Sequence, residues 1–517
     1  MNKKYPVTTL IALYDPDAIG IRTLATFAKE KLGARVNQVF FKNLFTSRFP
    51  YTNEELRLLI NLIEELNTEL LGISLRSSSY NSAVSIISAL KSRLKGVKII
   101  LGGIHPTLCP DECMEMADIV CRGEGEYPFI NLMDNFYNPA FSLNSIKGLW
   151  VKEGAQTYKN DVAELIDINE LPPVDYSPQD KWQIEDGVLK QGDPSVNNSV
   201  GEVFASRGCP HKCTYCTNHT LRDILNKGKF VRLRSVDNVI KDIHNLKKYY
   251  SGLKKIVFAD EVFALDKNWV IEFSRIYRQE VGLPFAALFY PGTINRQTLD
   301  ILKDSGLTHV RAGIQFGAVN IRKDLYKRNE TNESIINLAR MSHDLGVRVT
   351  FDVIVNNPYE TEKQLEEGLD FYLSIPKPFE LNLHSLVYFP QTELTKKALT
   401  DQIIKPHQVE GHAQEALRVN HVLLKDKKMA YDYQNNLFYN CLFSLTSKPF
   451  MAKKFIKWLS MRSFLKRNPA VLLFVAKAAN VINIGFIGFG LLRNKEITIK
   501  DAIHALRQIV FTAAVNK

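Results

Sequence analysis

The chain has 517 residues, of which 45% are hydrophobic and 23% are charged, a globular composition that excludes a disordered, collagen-like or coiled-coil protein. At roughly 100–200 residues per domain, this length predicts about three domains. The net charge of +11 lies entirely in residues 448–517, which contain 13 basic and 2 acidic residues, so no nucleic-acid partner is expected for the neutral body of the chain.

Residues 1–140 alternate short apolar runs with helical patterns. The apolar runs predict strands at residues 7–15, 35–41, 70–75, 97–103 and 117–123. The helical patterns lie at residues 21–33, 54–66, 82–94 and 126–135. This alternation predicts a doubly wound, Rossmann-like α/β domain with a parallel sheet, whose ligands bind at the carboxyl ends of the strands.

Residues 141–200 are rich in Pro, Asp, Asn and Ser, which predicts a linker. A second alternating series follows over residues 201–395. Its strand patterns lie at residues 201–208, 254–260, 284–290, 309–317, 347–355 and 380–388. Six β/α units predict a (β/α)6 partial TIM barrel with its chemistry at the carboxyl ends of the strands.

The C-terminal region, residues 396–517, is mostly helical in pattern and ends in a basic, apolar tail. Residues 469–492 are long enough to span a bilayer but include Lys477, Asn480 and Asn483. A buried or interfacial helix is therefore expected, with a spanning helix as the alternative. The tail's charge favours either a solvated helical face against the barrel, or contact with an anionic membrane or a lipophilic substrate.

The seven cysteines are an odd number and a low density, which makes a disulfide framework unexpected. The apolar part of residues 1–15 is too short for a secretory signal. We therefore expect a cytoplasmic, reducing location, with membrane association through the tail as an alternative.

Three of the cysteines, Cys209, Cys213 and Cys216, form a C-x3-C-x2-C pattern just after the first strand of the second series. Three thiolates on one loop can bind three irons of a 4Fe–4S cluster and leave the fourth iron open to another ligand. A zinc site completed by His211 and His219 is the alternative, because structural zinc normally takes four protein ligands.

The cysteine pattern, with Tyr215 before its last cysteine and six β/α units around it, resembles the radical S-adenosylmethionine (radical SAM) superfamily. The resemblance implies a 4Fe–4S cluster that binds S-adenosylmethionine (SAM). It also implies that Asp260 and Glu261, at the end of the second strand, meet the SAM amino group. Residues 311–317, which include Gln315, would line the SAM nucleoside.

The fifth strand of the series departs from that superfamily at one point. Residues 351–361 resemble its fifth-strand segment, which usually ends in Gly-x-Pro-x-Glu-Thr. Here Asn356 and Asn357 stand where small residues are expected, so cofactor contacts at this strand end are not carried over.

The loops after two strands of the N-terminal domain are rich in glycine. Gly102, Gly103 and Thr107 follow one strand, and Gly123 and Glu124 follow the next. Glycines there let the backbone approach a large planar ligand, and the chain lacks the G-x-G-x-x-G pattern of dinucleotide binding. Ahead of a radical SAM motif, these loops resemble the cobalamin-binding radical SAM family, which implies cobalamin as a further cofactor.

The loop after the first strand differs from classical cobalamin domains, in which Asp-x-His-x-x-Gly places a histidine on cobalt. The same place reads Asp-Pro-Asp-Ala-Ile-Gly over residues 15–20, and a carboxylate is a poor replacement for imidazole there. We predict cobalt without a histidine ligand from the protein. His105 is expected to hydrogen-bond cobalamin or cap its loop, with cobalt ligation as the alternative. Ser74 is expected to contact the corrin or its nucleotide tail, or to belong to an ordinary polar loop.

Both cofactor domains in one chain predict a cobalamin-dependent radical SAM methyltransferase that acts on an unactivated carbon of a small-molecule or lipid-like substrate. One alternative keeps the cofactors but oxidises, cyclises or rearranges its substrate. Another is a non-catalytic cobalamin-binding regulator, against which the intact cysteine triplet argues. A reductant such as flavodoxin or ferredoxin is expected to supply electrons to the cluster.

Overall fold

The computed structural model describes residues 4–43, 51–409, 433–493 and residue 499. Two large sheets organise this part of the chain. The first has nine strands and the second has six, and a two-stranded ribbon lies beside them. Both predicted α/β units are present, followed by helices, which confirms the predicted fold class.

The nine-stranded sheet belongs to the N-terminal domain and has a parallel centre. From edge to edge, its strands are β7 (Gln156–Lys159), β6 (Leu149–Glu153), β5 (Ile119–Cys121), β4 (Lys98–Gly102), β3 (Leu70–Ser74), β1 (Thr8–Leu13), β2 (Val36–Phe41), β8 (Lys181–Glu185) and β9 (Val188–Gln191). All six residues of β1 are buried, as expected for a central parallel strand covered on both faces.

Helices pack on both faces of this sheet. They are α1 (Ile19–Leu32), α2 (Asn53–Glu65), α3 (Tyr80–Arg93), α4 (Ile104–Leu108), α5 (Pro110–Met116) and α6 (Glu126–Asn135). Helix α2 begins with a capping box between Thr52 and Glu55, and α1 ends at Gly33 in the left-handed conformation (φ 67°). Short 3₁₀ turns occur at Ser77–Ser79, Leu143–Ser145 and Ile168–Glu170.

Residues 141–200 differ from the linker that their composition predicts. They form β6 to β9, and because β6 pairs with β5 while β8 pairs with β2, the segment supplies both edges of the first sheet. Buried side chains of these strands, such as Leu149 and Ile184, complete the apolar cores on the two faces. The turn-forming residues that indicate a linker lie in the loops before β8 and after β9.

A fully buried ion pair joins α1 to the end of this segment. Arg22 and Asp193 both have no exposed side-chain surface. The Arg22 guanidinium also donates to the carbonyl oxygens of Pro16 at 2.9 Å and Asp17 at 2.7 Å. The pair therefore fixes the loop after β1, where classical cobalamin domains carry their cobalt ligand.

The six-stranded sheet is parallel throughout. Its strands, in spatial order, are β10 (Val200–Val203), β13 (Lys255–Phe258), β14 (Phe285–Phe289), β15 (Leu307–Gln315), β16 (Arg348–Val355) and β17 (Glu380–Ser385). The ribbon pairs β11 (Ser206–Arg207) with β12 (Arg232–Leu233). Spatial order follows chain order, as in the wall of a β/α barrel.

Helices follow the strands of this sheet in alternation. They are α7 (Thr217–Ile224), α8 (Val236–Tyr249), α9 (Lys267–Glu280), α10 (Arg296–Ser305), α11 (Asn332–Asp344), α12 (Glu362–Ser374) and α13 (Glu393–Thr400), with a π-helical turn at Ile321–Leu325. Aromatic rings of Phe258, Phe273 and Phe285 pack edge to face beneath the first strands, and contribute to one large apolar core.

Four helices form the described part of the C-terminal region. They are α14 (Tyr433–Thr446), α15 (Lys453–Ser460), α16 (Ser463–Arg467) and α17 (Pro469–Arg493). Helix α14 packs against α12 and β17, and residues 436–446 are all buried. Helix α17 lies along α14 through Leu472, Ala476, Ala479 and Asn483, while the Ser444 hydroxyl donates to Asn480 at 3.3 Å.

Within the described residues, α17 is the one helix that is long and apolar enough to cross a membrane. The asparagines that argue against a spanning helix in the sequence, Asn480 and Asn483, lie on the side of α17 that faces the rest of the protein.

We predict that Arg22→Met lowers the free energy of unfolding by about 3–5 kcal/mol, because the buried Asp193 carboxylate loses the cation that hydrogen-bonds it and keeps only the more distant Lys181 ammonium at 3.9 Å. Lys29→Met is the matched control, since the Lys29–Asp175 pair is 3.5 Å long and solvent-exposed and such pairs contribute less than about 1 kcal/mol. Urea unfolding followed by tryptophan fluorescence measures both. Equal losses in the two variants would contradict the prediction.

Candidate active site

The cysteine triplet lies on the loop between β11 and α7, beside the carboxyl end of β10. Gly208, just before Cys209, has a φ of 85°, and a side chain there would collide with the carbonyl oxygen of Phe230. Cys216 is the N-cap residue of α7, and its backbone N–H donates to the Cys213 carbonyl at 3.1 Å. A tight turn therefore presents all three thiols from one loop.

Arg328 is a buried cation that holds this loop against the barrel. Its guanidinium lies 3.6 Å from the Cys213 Sγ, 3.1 Å from the Tyr215 hydroxyl, and 2.5 Å from the Gly313 carbonyl oxygen at β15. Its Nε donates to Glu330 at 2.6 Å. One planar, rigid fork thus joins the cysteine loop to the fourth strand, and its charge favours thiolates over thiols.

A second arginine supports the start of the loop. Arg222 of α7 donates to the Cys209 carbonyl oxygen, and to the His211 carbonyl oxygen at 3.3 Å. The His211 ring stacks on Tyr290 with 3.7 Å between ring centroids. Burial raises the pKa of the Cys216 thiol to about 12, so the thiolate needs a bound metal to stabilise it.

The spacing of the ligand atoms argues against the zinc alternative. Tetrahedral zinc–sulfur bonds of about 2.3 Å place the sulfurs ~3.8 Å apart. In the described part of the chain, the one group of three His, Cys, Asp or Glu ligand atoms that lie within 4.8 Å of one another is His105, Cys109 and Glu112. The three thiols do not form such a group, so at least one pair of them lies more than 4.8 Å apart, as expected for a cluster in which each thiolate binds a different iron.

Asp260 and Glu261 play different structural roles. Asp260 is buried and accepts hydrogen bonds from the Ala205 backbone N–H at 3.1 Å and from the Ser206 hydroxyl, so it anchors the segment that leads into the cysteine loop. Burial raises the pKa of Asp260 to about 6. Glu261 instead faces a cavity and hydrogen-bonds Asn218 of α7. Of the two, Glu261 is the one placed to meet a ligand, and contact with SAM stays a prediction.

Gln315 ends β15 with a φ of 60°, at an irregularity in the pairing of β15 with β16. Its amide lies over Gly313, where a side chain would collide with it. Gln315 is therefore next to the carbonyl that Arg328 binds, and its contact with the SAM nucleoside stays a prediction.

The asparagines that replace small residues after β16 have structural partners. Asn356 has a φ of 58°, donates to Ser385 at 2.6 Å and accepts from Asn440 of α14 at 2.8 Å. Asn357 donates to the Tyr326 hydroxyl at 2.9 Å. The bond to Asn440 fastens helix α14 to the end of β16, and the bonds to Ser385 and Tyr326 join neighbouring parts of the barrel, roles that no sequence motif indicates.

A cavity of about 540 Å³ opens between the N-terminal domain and the barrel, a size typical of ligand sites. The predicted residues that line it are Ser74, Gly102, Gly103, Thr107, Gly123, Glu124 and Glu261. Glu202, Gly208 and Asn218 line it as well, without having been predicted. The three cysteines, His105, Asp260 and Gln315 are not among the described residues of its wall.

The glycine loops form one wall of this cavity. Gly103 and Gly123 have φ values of 105° and 91°, which favour glycine. Thr107 ties the two loops together, since its hydroxyl donates to the Gly103 carbonyl at 2.8 Å and accepts from the Gly123 N–H at 3.0 Å. Both glycines line the cavity, and a side chain at Gly123 would collide with Leu225 on the opposite side, so the bare backbone leaves room for a large planar cofactor.

His105 turns away from the cavity into the domain. Its Nδ1 lies 3.0 Å from the Ser77 hydroxyl and its Nε2 3.6 Å from a Glu112 oxygen. Its ring packs on Tyr80. This arrangement favours the loop-capping role over contact with cobalamin.

Glu124 connects the two domains. Its carboxylate binds Arg232 of β12 and lies 3.3 Å from Arg207 of β11, while Glu126 accepts from Arg207 at 2.6 Å. Burial alone would raise the pKa of Glu124, but the hydrogen bond and charges of the two arginines lower it below its usual value. Sequence reasoning missed this role, because both arginines are far away in the chain.

Carboxylates surround the cavity where classical cobalamin domains carry histidine. Asp15 and Asp17 line it, and the Ser195 hydroxyl donates to Asp17 at 3.0 Å. Burial and the nearby charges of Asp17 and Asp15 raise the pKa of Glu202 on β10 to about 7. The absence of a histidine ligand on cobalt stays a prediction.

Comparison with known proteins agrees with this two-domain arrangement. The B12 binding domain model matches residues 7–133, and the model of the radical SAM superfamily matches residues 203–372. This chain belongs to the cobalamin-binding radical SAM family. Its cofactors are a 4Fe–4S cluster, SAM and cobalamin.

Two relatives and one solved structure illustrate the family. An uncharacterised methyltransferase of Pyrococcus horikoshii is 27% identical over 66% of this chain and 72% of its own length. Cytidylyl-2-hydroxyethylphosphonate methyltransferase of Streptomyces wedmorensis is 25% identical over 58% of this chain and 60% of its own length. The cobalamin-dependent SAM radical enzyme OxsB with aqua-cobalamin shares the fold, with a TM-score of 0.64 at 15% identity over 99% of this chain and 80% of its own.

The residues present fit these cofactors. Cys209, Cys213 and Cys216 supply three thiols next to the buried cation of Arg328, which suits an anionic thiolate-bound cluster. Bare glycine backbone lines the cavity on the side of the B12 binding domain, which suits the flat face of a corrin.

We predict that Cys209→Ala, Cys213→Ala and Cys216→Ala each abolish the visible absorbance of the reconstituted cluster, because each removes the ligand of one iron. Cys441→Ala is the control. Cys441 is a buried thiol on helix α14, which is not part of the cysteine loop. Iron analysis and absorbance spectra measure the result. A triplet variant with the full iron content of the wild-type protein would refute the assignment.

Arg328→Lys is expected to weaken cluster retention by about 10–100-fold, as loss of outer-shell support typically does, because an ammonium cannot reach all the groups that the guanidinium binds. Arg340→Lys is the matched control, because Arg340 lies on the exposed side of helix α11. Iron retained after chelator challenge measures both variants. Retention equal to that of the control would show that Arg328 does not support the cluster.

Proposed function

We propose that this enzyme is a cobalamin-dependent radical SAM methyltransferase that acts on an unactivated carbon of a small-molecule substrate. The observation that carries the proposal is the shared cavity, whose wall combines Gly103 and Gly123 of the B12 binding domain with Glu261 and Asn218 of the barrel. One cavity that both cofactor domains line allows a methyl carrier and a radical source to serve the same substrate.

When bound, the SAM-loaded cluster supplies a hydrogen-abstracting radical and cobalamin carries the methyl group. The chain's own residues position these groups. Arg328 fixes the cysteine loop on β15, and Glu261 and Asn218 offer polar contacts at the barrel side. The Glu124 ion pairs hold the two walls of the cavity together.

The relatives support a small-molecule substrate. The Streptomyces wedmorensis enzyme is named for a cytidylyl phosphonate. Apolar lining residues such as Phe129, Phe204 and Phe230 favour a substrate with apolar parts, which includes lipid-like molecules. The cluster also implies a reductant such as flavodoxin or ferredoxin, and the reduced state that it requires favours a cytoplasmic location.

We expect the reconstituted holoenzyme to form S-adenosylhomocysteine as well as 5′-deoxyadenosine from SAM labelled with a CD3 group, under anaerobic conditions with titanium(III) citrate. The CD3 label is expected in the cobalamin fraction, because that cofactor accepts the methyl group. The Cys216→Ala variant is the control, since it removes a cluster ligand and should form no 5′-deoxyadenosine. Mass spectrometry of the products measures all three species.

Formation of 5′-deoxyadenosine without S-adenosylhomocysteine or label transfer would contradict methyl transfer. That result would instead favour the alternative in which the same cofactors oxidise, cyclise or rearrange the substrate.

A further inference from the structure

The C-terminal helices expose an unusual amount of apolar surface. Helices α15 to α17 present large side chains that are 44–77% exposed, whereas isolated exposed apolar residues are normal elsewhere on proteins. Together with Phe450 just before α15, they are Phe455, Trp458, Met461, Phe464, Val471, Phe474, Val481, Ile482, Phe486 and Phe489. We name this set the apolar C-terminal surface.

The apolar C-terminal surface is continuous across the helices. The rings of Phe455 and Trp458 on α15 stack with 5.8 Å between centroids. Phe450, before α15, lies 6.5 Å from Phe486 on α17. Helices α16 and α17 also pack against each other. The exposed rings thus form one patch rather than scattered single residues.

Basic residues border this patch, and nothing acidic accompanies them in the sequence. Residues 433–493 contain nine Lys or Arg and no Asp or Glu. Two of these cations are paired with acidic groups of α12, Lys457 with Asp370 and Lys466 with Glu362. Lys453, Lys454 and Arg462 are exposed, and Arg462 lies over the Trp458 ring at 4.2 Å. Aromatic rings next to cations are typical of surfaces that enter the headgroup region of a bilayer.

The packing of α17 indicates whether the helix could span a bilayer or would lie in the plane of its surface. One stripe of the helix, from Leu472 to Asn483, is buried against α14, while Phe474, Phe486 and Phe489 point away from the protein with 64–77% exposure. A helix that spans a bilayer on its own would have lipid on every side. A helix docked lengthwise on its enzyme can instead lie in the plane of the membrane with its free face buried in the interface.

From these observations we propose that the apolar C-terminal surface docks this enzyme on an anionic lipid bilayer, with α17 lying in the plane of the interface. The exposed rings supply the buried apolar area, and Lys453, Lys454 and Arg462 supply the attraction to anionic headgroups. This attachment goes beyond the proposed methyl transfer and does not depend on it.

Vesicle flotation of the full-length holoenzyme tests the proposal. We expect the enzyme to float with vesicles of phosphatidylcholine and phosphatidylglycerol, and to float far less with phosphatidylcholine alone. Raising the salt concentration should weaken binding to the anionic vesicles, because salt screens exposed charges. Equal flotation with both vesicle types, or none with either, would overturn the proposal.

The triple variant F474S/F486S/F489S removes exposed rings and is expected to lose flotation, because each buried ring contributes to insertion. The matched control V188S/I271S/V319S replaces exposed apolar residues of other elements and should float like the wild type. Circular dichroism and cobalamin content confirm that both variants are folded. Wild-type flotation of the ring variant would overturn the proposal.

The variant K453Q/K454Q/R462Q tests the charge. At about 1 kcal/mol for each cation near an anionic surface, binding should weaken roughly fivefold per residue, or by about two orders of magnitude in total. The control K91Q/K95Q/K267Q removes exposed cations elsewhere and should bind like the wild type.

A second copy of the chain could cover the same surface, and light scattering tests this by measuring whether the protein forms dimers. Dimers that dissociate in F474S/F486S/F489S, together with absent flotation of the wild type, would assign the surface to self-association and overturn the membrane proposal.

Discussion

The ion pairs between Glu124, Glu126, Arg207 and Arg232 are the interaction on which the rest of the site depends. They join the segment between β5 and the start of α6 to the two-stranded ribbon whose first strand, β11, leads into the cysteine loop. The carboxylates belong to one domain and the arginines to the other, so these charges hold two walls of the cavity against each other. Arg207 is two residues from Cys209, which means that the domain contact and the cluster loop share one short segment of backbone.

Positive charge, buried at Arg328 and half-buried at Arg222, approaches the cluster loop from two sides. Arg328 approaches from the barrel and Arg222 from helix α7, and both make hydrogen bonds that fix the backbone as well as supplying charge. In a region of low dielectric constant such charges act more strongly than they would in water. The same groups that shape the loop therefore also favour the anionic state of its thiols.

Local sequence patterns predict much of this fold, because the buried strands are short apolar runs and the helices between them have regular periodicity. The cysteine triplet is equally local. The linker prediction over residues 141–200 did not anticipate strands β6 to β9, since strand pairing with β5 and β2 depends on contacts far apart in the chain. Turn-rich composition marks the loops of that segment and conceals its strands.

The site residues also fall into two groups: those that local sequence patterns place, and those whose roles depend on side-chain direction or on distant parts of the chain. The glycine loops could be placed at the cavity because strand ends of a parallel sheet meet at one edge. The separate roles of Asp260 and Glu261, and the inward orientation of His105, follow from side-chain direction, which the spacing of residues does not specify. The partners of Glu124 and Asn356 lie in other domains or helices, so no motif at those positions indicates them.

The edge strands of the first sheet bear on how the protein is made. Synthesis proceeds from the N-terminus, and domains generally fold in that order, yet this sheet gains its last strand only at residues 188–191. Arg22, a buried residue of α1, is synthesised early. Its counterion, Asp193, is among the last residues of the domain to be synthesised. The complete sheet and the Arg22–Asp193 pair therefore cannot form until synthesis has passed residue 193.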